Sequence, residues 1–168
     1  GGAEASESAC LRSVDAAWRH CVDALRIPPE RIVLYGRSIG SGPTVDLASR
    51  GAVEGSGHSP LDVGGVLLQS PLESGGRAVL PYFVSFVGYP LDIFRNYEKV
   101  SKIRAPVAIM HGVADEVIPV GNGRALHGLL SNPFEPLWIP HAGHNNMPQE
   151  VCFDYTRRFV DSLSRPAN

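Results

Sequence analysis

The sequence predicts an α/β fold in which a mostly parallel sheet is covered by helices on both faces. Short apolar segments alternate with longer segments whose apolar residues recur every three or four positions, as strands and helices do in such folds. The short segments also lack polar alternation, which is typical of strands that are buried on both faces. The predicted strands cover residues 31–35, 66–69, 107–110 and 137–139.

The first predicted element is a helix over residues 5–26, where apolar side chains from Leu11 to Leu25 share one face. Pro28 and Pro29 end it, because proline cannot donate a backbone hydrogen bond and disfavours helix in the preceding residue. The strand at 31–35 follows.

A second helix is predicted over residues 39–50, with Pro43 near its first turn, where proline costs least. Residues 51–65 are rich in Gly, Ser and Pro and predict a surface loop before the strand at 66–69. Residues 71–90 are irregular and aromatic.

The C-terminal half of the chain contains the last two predicted strands and two more helices. An amphipathic helix is predicted over 118–130, and a closing helix over 148–164. The closing helix places four apolar residues on one stripe: Val151, Tyr155, Phe159 and Leu163.

Composition narrows the classes of function. The 168 residues fit one domain, 1–168, and 43% hydrophobic with 19% charged residues is typical of a soluble globular protein. The net charge is −2 and there is no basic run, which argues against nucleic acid as a partner. The histidine spacings support no metal site, and no motif calls for a cofactor. Three isolated cysteines (Cys10, Cys21 and Cys152) indicate reduced thiols, as in a cytoplasmic protein.

The strand at 31–35 leads into Gly36-Arg37-Ser38-Ile39-Gly40, which has the Gly-x-Ser-x-Gly pattern of a nucleophile elbow. Such an elbow exposes the serine Oγ on a sharp turn between strand and helix, and its glycines let the turn close. The motif therefore suggests a covalent acyl-serine intermediate. Without its context, the same pattern also fits a plain strand-to-helix turn with a serine cap.

The residue types that follow the other strands supply that context. Ligands of a parallel sheet bind outside the carboxyl ends of its strands. Asp115 follows the third strand and His144 follows the fourth, so nucleophile, acid and base occur in the order Ser, Asp, His of α/β-hydrolases. Ser38 would attack, His144 would carry its proton, and Asp115 would orient the imidazole.

Each of these assignments has an alternative. In the alternative to Asp115 as the acid, its side chain accepts hydrogen bonds from the backbone of its own turn. Glu116 beside it is the rival acid. His141 is the rival base, although Gly143 favours a tight turn that presents His144. His111 ends a strand, and we expect it to pack or to bond backbone.

The oxyanion of an acyl-transfer intermediate needs two backbone donors. One is the N–H of the residue after the nucleophile, here Ile39. The other normally comes from a loop near an earlier strand, and residues 1–30 offer only a helix and its exit. Because the sequence starts Gly1-Gly2-Ala3 without an initiator Met and its first predicted element is already a helix, we expect a piece of a longer protein or a cut gene model, with the N-terminal strands missing.

Longer stretches resemble one family, α/β-hydrolase domain-containing protein 17, from about residue 12 onward. The resemblance is carried by the segments 34–40, 43–50, 69–75, 96–103, 111–112, 115–118, 135–138 and 142–145. They include Gln69-Ser70-Pro71-Leu72-Glu73-Ser74-Gly75 and Ala142-Gly143-His144-Asn145.

The resemblance implies a serine hydrolase that removes palmitate from cysteines of membrane-associated proteins, with Ser38, Asp115 and His144 as nucleophile, acid and base. It also implies an acylated protein as partner and peripheral contact with the cytoplasmic face of membranes. The family's upstream half, with its first strands, its second oxyanion donor and its lipidated cysteine-rich N-terminus, has no counterpart in this sequence. Asn146 stands where the family often has an acidic residue.

Three aromatic residues, Tyr82, Phe83 and Phe86, are predicted to wall a pocket for an acyl chain. The alternative is that they cover the core of the sheet. For the whole chain the leading prediction is a long-chain acyl thioesterase. The alternatives are a non-catalytic binding fragment and a general carboxylesterase of small acyl esters.

Overall fold

The computed structural model describes residues 6–51, 53–79 and 92–163. It confirms the predicted fold class: four strands form one sheet in the order β1-β2-β3-β4, and every neighbouring pair is parallel. The strands are β1 (Val33–Arg37), β2 (Gly65–Gln69), β3 (Val107–Gly112) and β4 (Leu137–Ile139).

Helices connect the strands and flank the sheet. They are α1 (Glu7–Arg19), α2 (Ser41–Ser49), α3 (Gly75–Val79), α4 (Val120–Gly128) and α5 (Gln149–Leu163). Among the described residues, no helix is both long and apolar enough to cross a membrane.

The first helix is shorter than the predicted 5–26. Ser6 caps α1 by accepting a hydrogen bond from the N–H of Ala9, and regular α-helix ends at Arg19. One wider π-helical turn, His20–Ala24, continues it, and Arg26 then turns the chain in a left-handed conformation (φ 56°) ahead of the prolines.

Strand β1 begins two residues later than predicted, because Pro29–Arg31 form a 3₁₀ turn. It then continues to Arg37, directly before Ser38. Helix α4 also starts later than predicted, since Pro119 takes the N-cap position with a non-helical backbone (φ −53°, ψ 138°). The strand at 137–139 lies where the sequence predicts it.

Both faces of the sheet are buried, as the continuous apolar strands predict. On one face Val66, Leu68 and Ile109 pack against helices α1, α2 and α4. On the other face Leu67 and Met110 pack against helix α5 through its buried aromatic residues, Tyr155 and Phe159. Because all four strands run parallel, their carboxyl ends lie at one edge of the sheet.

The prediction of a surface loop over 51–65 is wrong in part. Val53, Pro60 and Val63 are buried, and Ser59 caps a 3₁₀ turn, Pro60–Asp62. Isolated apolar residues in a Gly- and Ser-rich segment carry no periodicity, so their burial does not show in the sequence. The irregular region predicted at 71–90 contains α3, and its residues 80–91 lie outside the described part of the chain.

Candidate active site

Ser38 lies on a sharp turn between β1 and α2. Its φ of 53° is left-handed, a region that residues other than glycine seldom enter, and a 3₁₀ turn, Ser38–Gly40, leads into the helix. A hydrogen bond from Ser41 Oγ to the carbonyl oxygen of Ser38 (2.7 Å) fixes the turn. The hydroxyl of Ser41 also accepts the N–H of Leu72 (3.3 Å), which ties the turn to the loop after β2.

The two glycines of the motif have different surroundings. A Cβ on Gly36 would lie 2.7 Å from Thr44 Oγ1 and 2.9 Å from the Cα of Ser41, so the first helical turn packs directly on this position. A Cβ on Gly40 would meet no described atom within 4 Å, and the φ of Gly40 is −63°. The expectation that both glycines serve the turn is therefore correct for Gly36 and wrong for Gly40.

We expect Gly36→Ala to destabilise the fold by about 1–3 kcal/mol, because the added methyl overpacks the contact with helix α2. Gly40→Ala is the matched control and should leave the free energy of unfolding unchanged or slightly raised, since alanine is the better helix former. Urea unfolding of both variants measures this difference. Equal losses in the two variants would contradict the packing argument.

Asp115 lies in the turn after β3 and is 6% exposed. Its Oδ1 accepts the N–H groups of Val117 (2.9 Å) and Ile118 (2.8 Å), while Oδ2 accepts Nδ1–H of His144 (2.7 Å). Burial alone would raise the pKa of this carboxyl, but the hydrogen bonds from Ile118, His144 and Val117 outweigh it and lower the pKa. The carboxyl is therefore ionised at neutral pH.

His144 joins Asp115 to Ser38. Its Nδ1 faces Asp115, and its Nε2 lies 3.0 Å from Ser38 Oγ, within hydrogen-bond distance. With Nδ1 protonated toward the carboxylate, Nε2 is free to accept the hydroxyl proton of Ser38. The structure thus brings the three predicted side chains into one hydrogen-bonded relay.

The loop that carries His144 is held close to the turn that carries Asp115. The N–H of Ala114 donates to the carbonyl oxygen of Ala142 (2.9 Å), and a Cβ on Gly112 would lie only 2.3 Å from that oxygen. Glycine is therefore required where β3 passes under the loop.

The rival acid and base take no part in the relay. Glu116 and His141 are exposed, and neither makes a hydrogen bond to Ser38 or His144 within the described ranges. His111, as predicted, bonds backbone: its Nε2 donates to the carbonyl oxygen of Ile118 (2.8 Å).

The sequence analysis did not predict the contacts that Arg37 makes. Its guanidinium donates to the carbonyl oxygen of His144 (3.2 Å) and to Oδ1 of Asn145 (2.9 Å). The residue before Ser38 therefore holds the loop that bears the imidazole of His144. The sequence offers one signal for Arg37, its position next to Ser38 in the motif. No sequence pattern specifies which residues its side chain contacts.

A cavity of about 160 Å³ lies beside the relay, lined by Arg37, Gln69, His144, Asn145, Met147 and Gln149. A second cavity of about 280 Å³ shares Gln69, Met147 and Gln149 with it and adds Tyr35, Cys152 and Phe153 among its lining residues. The predicted pocket residues Tyr82, Phe83 and Phe86 lie outside the described residues. No group of three or more metal-ligating side chains comes together in the described part of the chain.

Solved structures resemble this fold. Esterase 2 of Thermogutta terrifontis, phosphoramylated by tabun, aligns with a TM-score of 0.72 at 16% identity, over 99% of this chain and 69% of that one. The monoacylglycerol lipase of Paleococcus ferrophilus aligns with a TM-score of 0.61 at 17% identity, over 91% and 74%. The parallel sheet, the elbow and these neighbours define an α/β-hydrolase fold.

Curated relatives narrow the class. Mouse alpha/beta hydrolase domain-containing protein 17C is 38% identical over 159 residues, and the 17B protein of Xenopus laevis is 41% identical over 160 residues. The chain is thus similar to proteins of the α/β-hydrolase domain-containing protein 17 family, as its motifs predict. The matches cover 95% of this chain but 45% and 51% of those proteins, so the chain spans about half their length. No protein-family model matches the chain.

Proposed function

We propose that this chain carries the hydrolytic centre of a serine hydrolase that cleaves long-chain acyl thioesters, removing palmitate from S-palmitoylated cysteines of membrane-associated proteins. One observation carries the proposal: Ser38 Oγ, His144 and the buried carboxylate of Asp115 form a continuous relay, with separations of 3.0 and 2.7 Å. A hydroxyl, an imidazole and an ionised carboxyl in this arrangement are the parts that acyl transfer to serine requires.

In the first half of the reaction, His144 Nε2 takes the hydroxyl proton as Ser38 Oγ attacks the thioester carbonyl carbon. The carbonyl π electrons move to oxygen, and the backbone N–H of Ile39 stabilises the oxyanion. When the carbonyl re-forms, the carbon–sulfur bond breaks and the cysteine leaves as a thiolate, which the proton on His144 neutralises. The products are a free thiol and an acyl-Ser38 ester.

In the second half, water replaces the thiol. His144 Nε2 takes one proton from the water as its oxygen attacks the acyl carbon, and a second oxyanion forms in the same place. Collapse breaks the bond to Ser38 Oγ, which recovers its proton from His144. A fatty acid is released, while Asp115 stays ionised and stabilises the imidazolium of each step.

The choice of a thioester rests on the family resemblance and on leaving-group chemistry. A thiolate leaves without the strong protonation that an amine requires, so a relay with modest acid strength suffices. The proposal includes an acylated protein as the partner and the cytoplasmic face of a membrane as the place where they meet. Tyr82, Phe83 and Phe86 are proposed to contact the acyl chain.

A general carboxylesterase of small acyl esters is the second candidate. The cavity beside His144, about 160 Å³, favours a small acyl group if no further wall is added to it. The folds of the structural neighbours, which include an esterase bound to propionate, are compatible with this candidate.

Chain length separates the two candidates. We expect palmitoyl thioesters to be hydrolysed with a kcat/KM at least about tenfold above acetyl thioesters, because each buried CH₂ contributes about 0.8 kcal/mol. Rates are measured by thiol release along a series from two to sixteen carbons, with Ser38→Ala as the blank. A preference for two to four carbons would remove the thioesterase proposal in favour of the esterase.

A non-catalytic binding fragment is the remaining alternative. It predicts no turnover of any acyl substrate at any chain length by folded protein, with the wild type and Ser38→Ala giving equal rates. A rate above the Ser38→Ala blank for any member of the series rejects it.

A further inference from the structure

We propose that His111 is a positioning residue for Asp115: its ring holds the acid in the orientation in which Oδ2 accepts the Nδ1–H of His144. The inference deepens the proposed function and rests on it, since the orientation matters for catalysis only if the relay is used. The sequence analysis expected no more of His111 than a structural contact at the end of a strand.

The contacts of His111 form a closed network around the acid. The ring is fully buried, and its Nε2 lies 2.8 Å from the carbonyl oxygen of Ile118 and 3.3 Å from Asp115 Oδ2. Ile118 in turn donates its N–H to Asp115 Oδ1 (2.8 Å). One imidazole edge thus touches both the carboxylate and the residue that holds the other carboxylate oxygen.

The same contacts fix the protonation of His111. A carbonyl oxygen can only accept, so Nε2 carries the proton that is donated to Ile118. Its Nδ1 is buried and has no hydrogen-bond partner in the described part of the chain. Burial lowers the pKa of the ring, and the titratable groups that act on it are Asp115 and His144. The neutral ring therefore places the positive end of its Nε2–H dipole, which is donated to Ile118, 3.3 Å from Asp115 Oδ2 without adding a second positive charge.

Helix α4 presses the ring into this place. A Cβ on Gly123 would lie 2.5 Å from His111 Nδ1, so glycine is required there for the ring to fit. Because Gly123 blocks movement of the ring toward the helix, its Nε2 edge stays in contact with the turn that carries Asp115. The carboxylate of Asp115 then has N–H groups facing both oxygens, which restricts its rotation.

The test compares two substitutions of similar size. His111→Leu removes the N–H, whereas His111→Gln keeps a side-chain N–H donor. In His111→Leu we expect the pKa of Asp115, measured by carboxyl-carbon NMR, to rise, because the N–H dipole beside Oδ2 that favours the charged form is lost. We also expect Ser38 to react with a fluorophosphonate about tenfold more slowly, as a misaligned base does. In His111→Gln both the pKa of Asp115 and the reaction rate of Ser38 should lie close to their wild-type values.

The two readouts separate this inference from the proposed function. The NMR titration needs no turnover, so a raised Asp115 pKa supports the positioning role even if wild-type Ser38 proves unreactive, a result that would count against the proposed function alone. A merely structural role predicts equal damage from Leu and Gln. Unchanged pKa and reactivity in His111→Leu, or a Gln variant as impaired as the Leu variant, overturns the inference.

A second variant covers the case in which His111→Leu does not fold, as judged by circular dichroism. Gly123→Ala displaces the ring from the helix side and leaves its donor intact. We expect the pKa of Asp115 to rise and the reaction of Ser38 with the fluorophosphonate to slow, each by less than in His111→Leu. Folded Gly123→Ala protein with wild-type Asp115 pKa and wild-type reactivity would contradict the positioning role.

Discussion

Ser38→Ala is expected to lower the rate of acyl thioester hydrolysis by about 10⁴-fold or more, because it removes the hydroxyl that His144 Nε2 contacts and that would form the covalent intermediate. His144 and Asp115 would remain in place, but the relay would end without a nucleophile. The rate is measured by thiol release under single-turnover conditions. Thermal unfolding should stay close to wild type, since the hydroxyl of Ser38 makes one part-buried hydrogen bond.

Ser49→Ala is the matched control for this loss. Ser49 lies at the far end of α2, where its hydroxyl donates to the carbonyl oxygen of Asp46 and contacts nothing in the relay. We expect its rate to equal that of the wild type. Substantial hydrolysis that survives Ser38→Ala would assign the reaction to another group and contradict the role given to Ser38.

Asp115→Asn is expected to lower kcat by about 10⁴-fold while the fold persists, since the side chains have nearly the same shape. An amide can turn its NH₂ toward His144 Nδ1, which forces the imidazole proton onto Nε2. The nitrogen that faces Ser38 then carries a hydrogen and cannot accept another. Steady-state kinetics with a saturating thioester measures this loss.

Glu116→Gln is the control, because Glu116 is the neighbouring carboxylate that the structure leaves outside the relay. We expect its kcat to match the wild type. A large loss in Glu116→Gln combined with a small loss in Asp115→Asn would exchange the two assignments.

The lowered pKa of Asp115 also predicts how stability depends on pH. A carboxyl whose pKa is lower when folded contributes stability above its unfolded value, near 3.8, and loses that contribution as the pH falls through the lower folded value. The difference in unfolding free energy between wild type and Asp115→Asn should therefore shrink below about pH 4. Urea unfolding along a pH series checks the sign, and a difference that grows in acid would contradict it.

The sequence predicts the sheet and its helices because burial determines where apolar residues occur along the chain. Unbroken apolar strands indicate a covered parallel sheet, and the four-residue spacing in α5 indicates one stripe. Tyr155 and Phe159 of that stripe are buried, whereas Val151 is exposed, so the stripe is predicted correctly only in its middle. Ser38, Asp115 and His144 were also predictable, because strands of a parallel sheet end at one edge and side chains that follow them gather there.

The supporting contacts were not predictable in the same way. Arg37, Ser41 and His111 bond backbone atoms, of His144, Ser38 and Ile118 respectively, and a carbonyl or N–H group exists at nearly every position whatever its side chain. The separate surroundings of Gly36 and Gly40 likewise depend on how α2 leaves the turn. Only the tertiary approach of the segments decides such contacts.

The most direct test of the central claim is covalent labelling of the 168-residue chain with a fluorophosphonate, followed by peptide mapping. The probe reacts with a serine whose hydroxyl proton is taken by an adjacent base. The account predicts one stoichiometric adduct on Ser38, absent from Ser38→Ala and strongly slowed in Asp115→Asn. Protein that is folded by circular dichroism and by thermal unfolding, yet remains unmodified at Ser38, would contradict it.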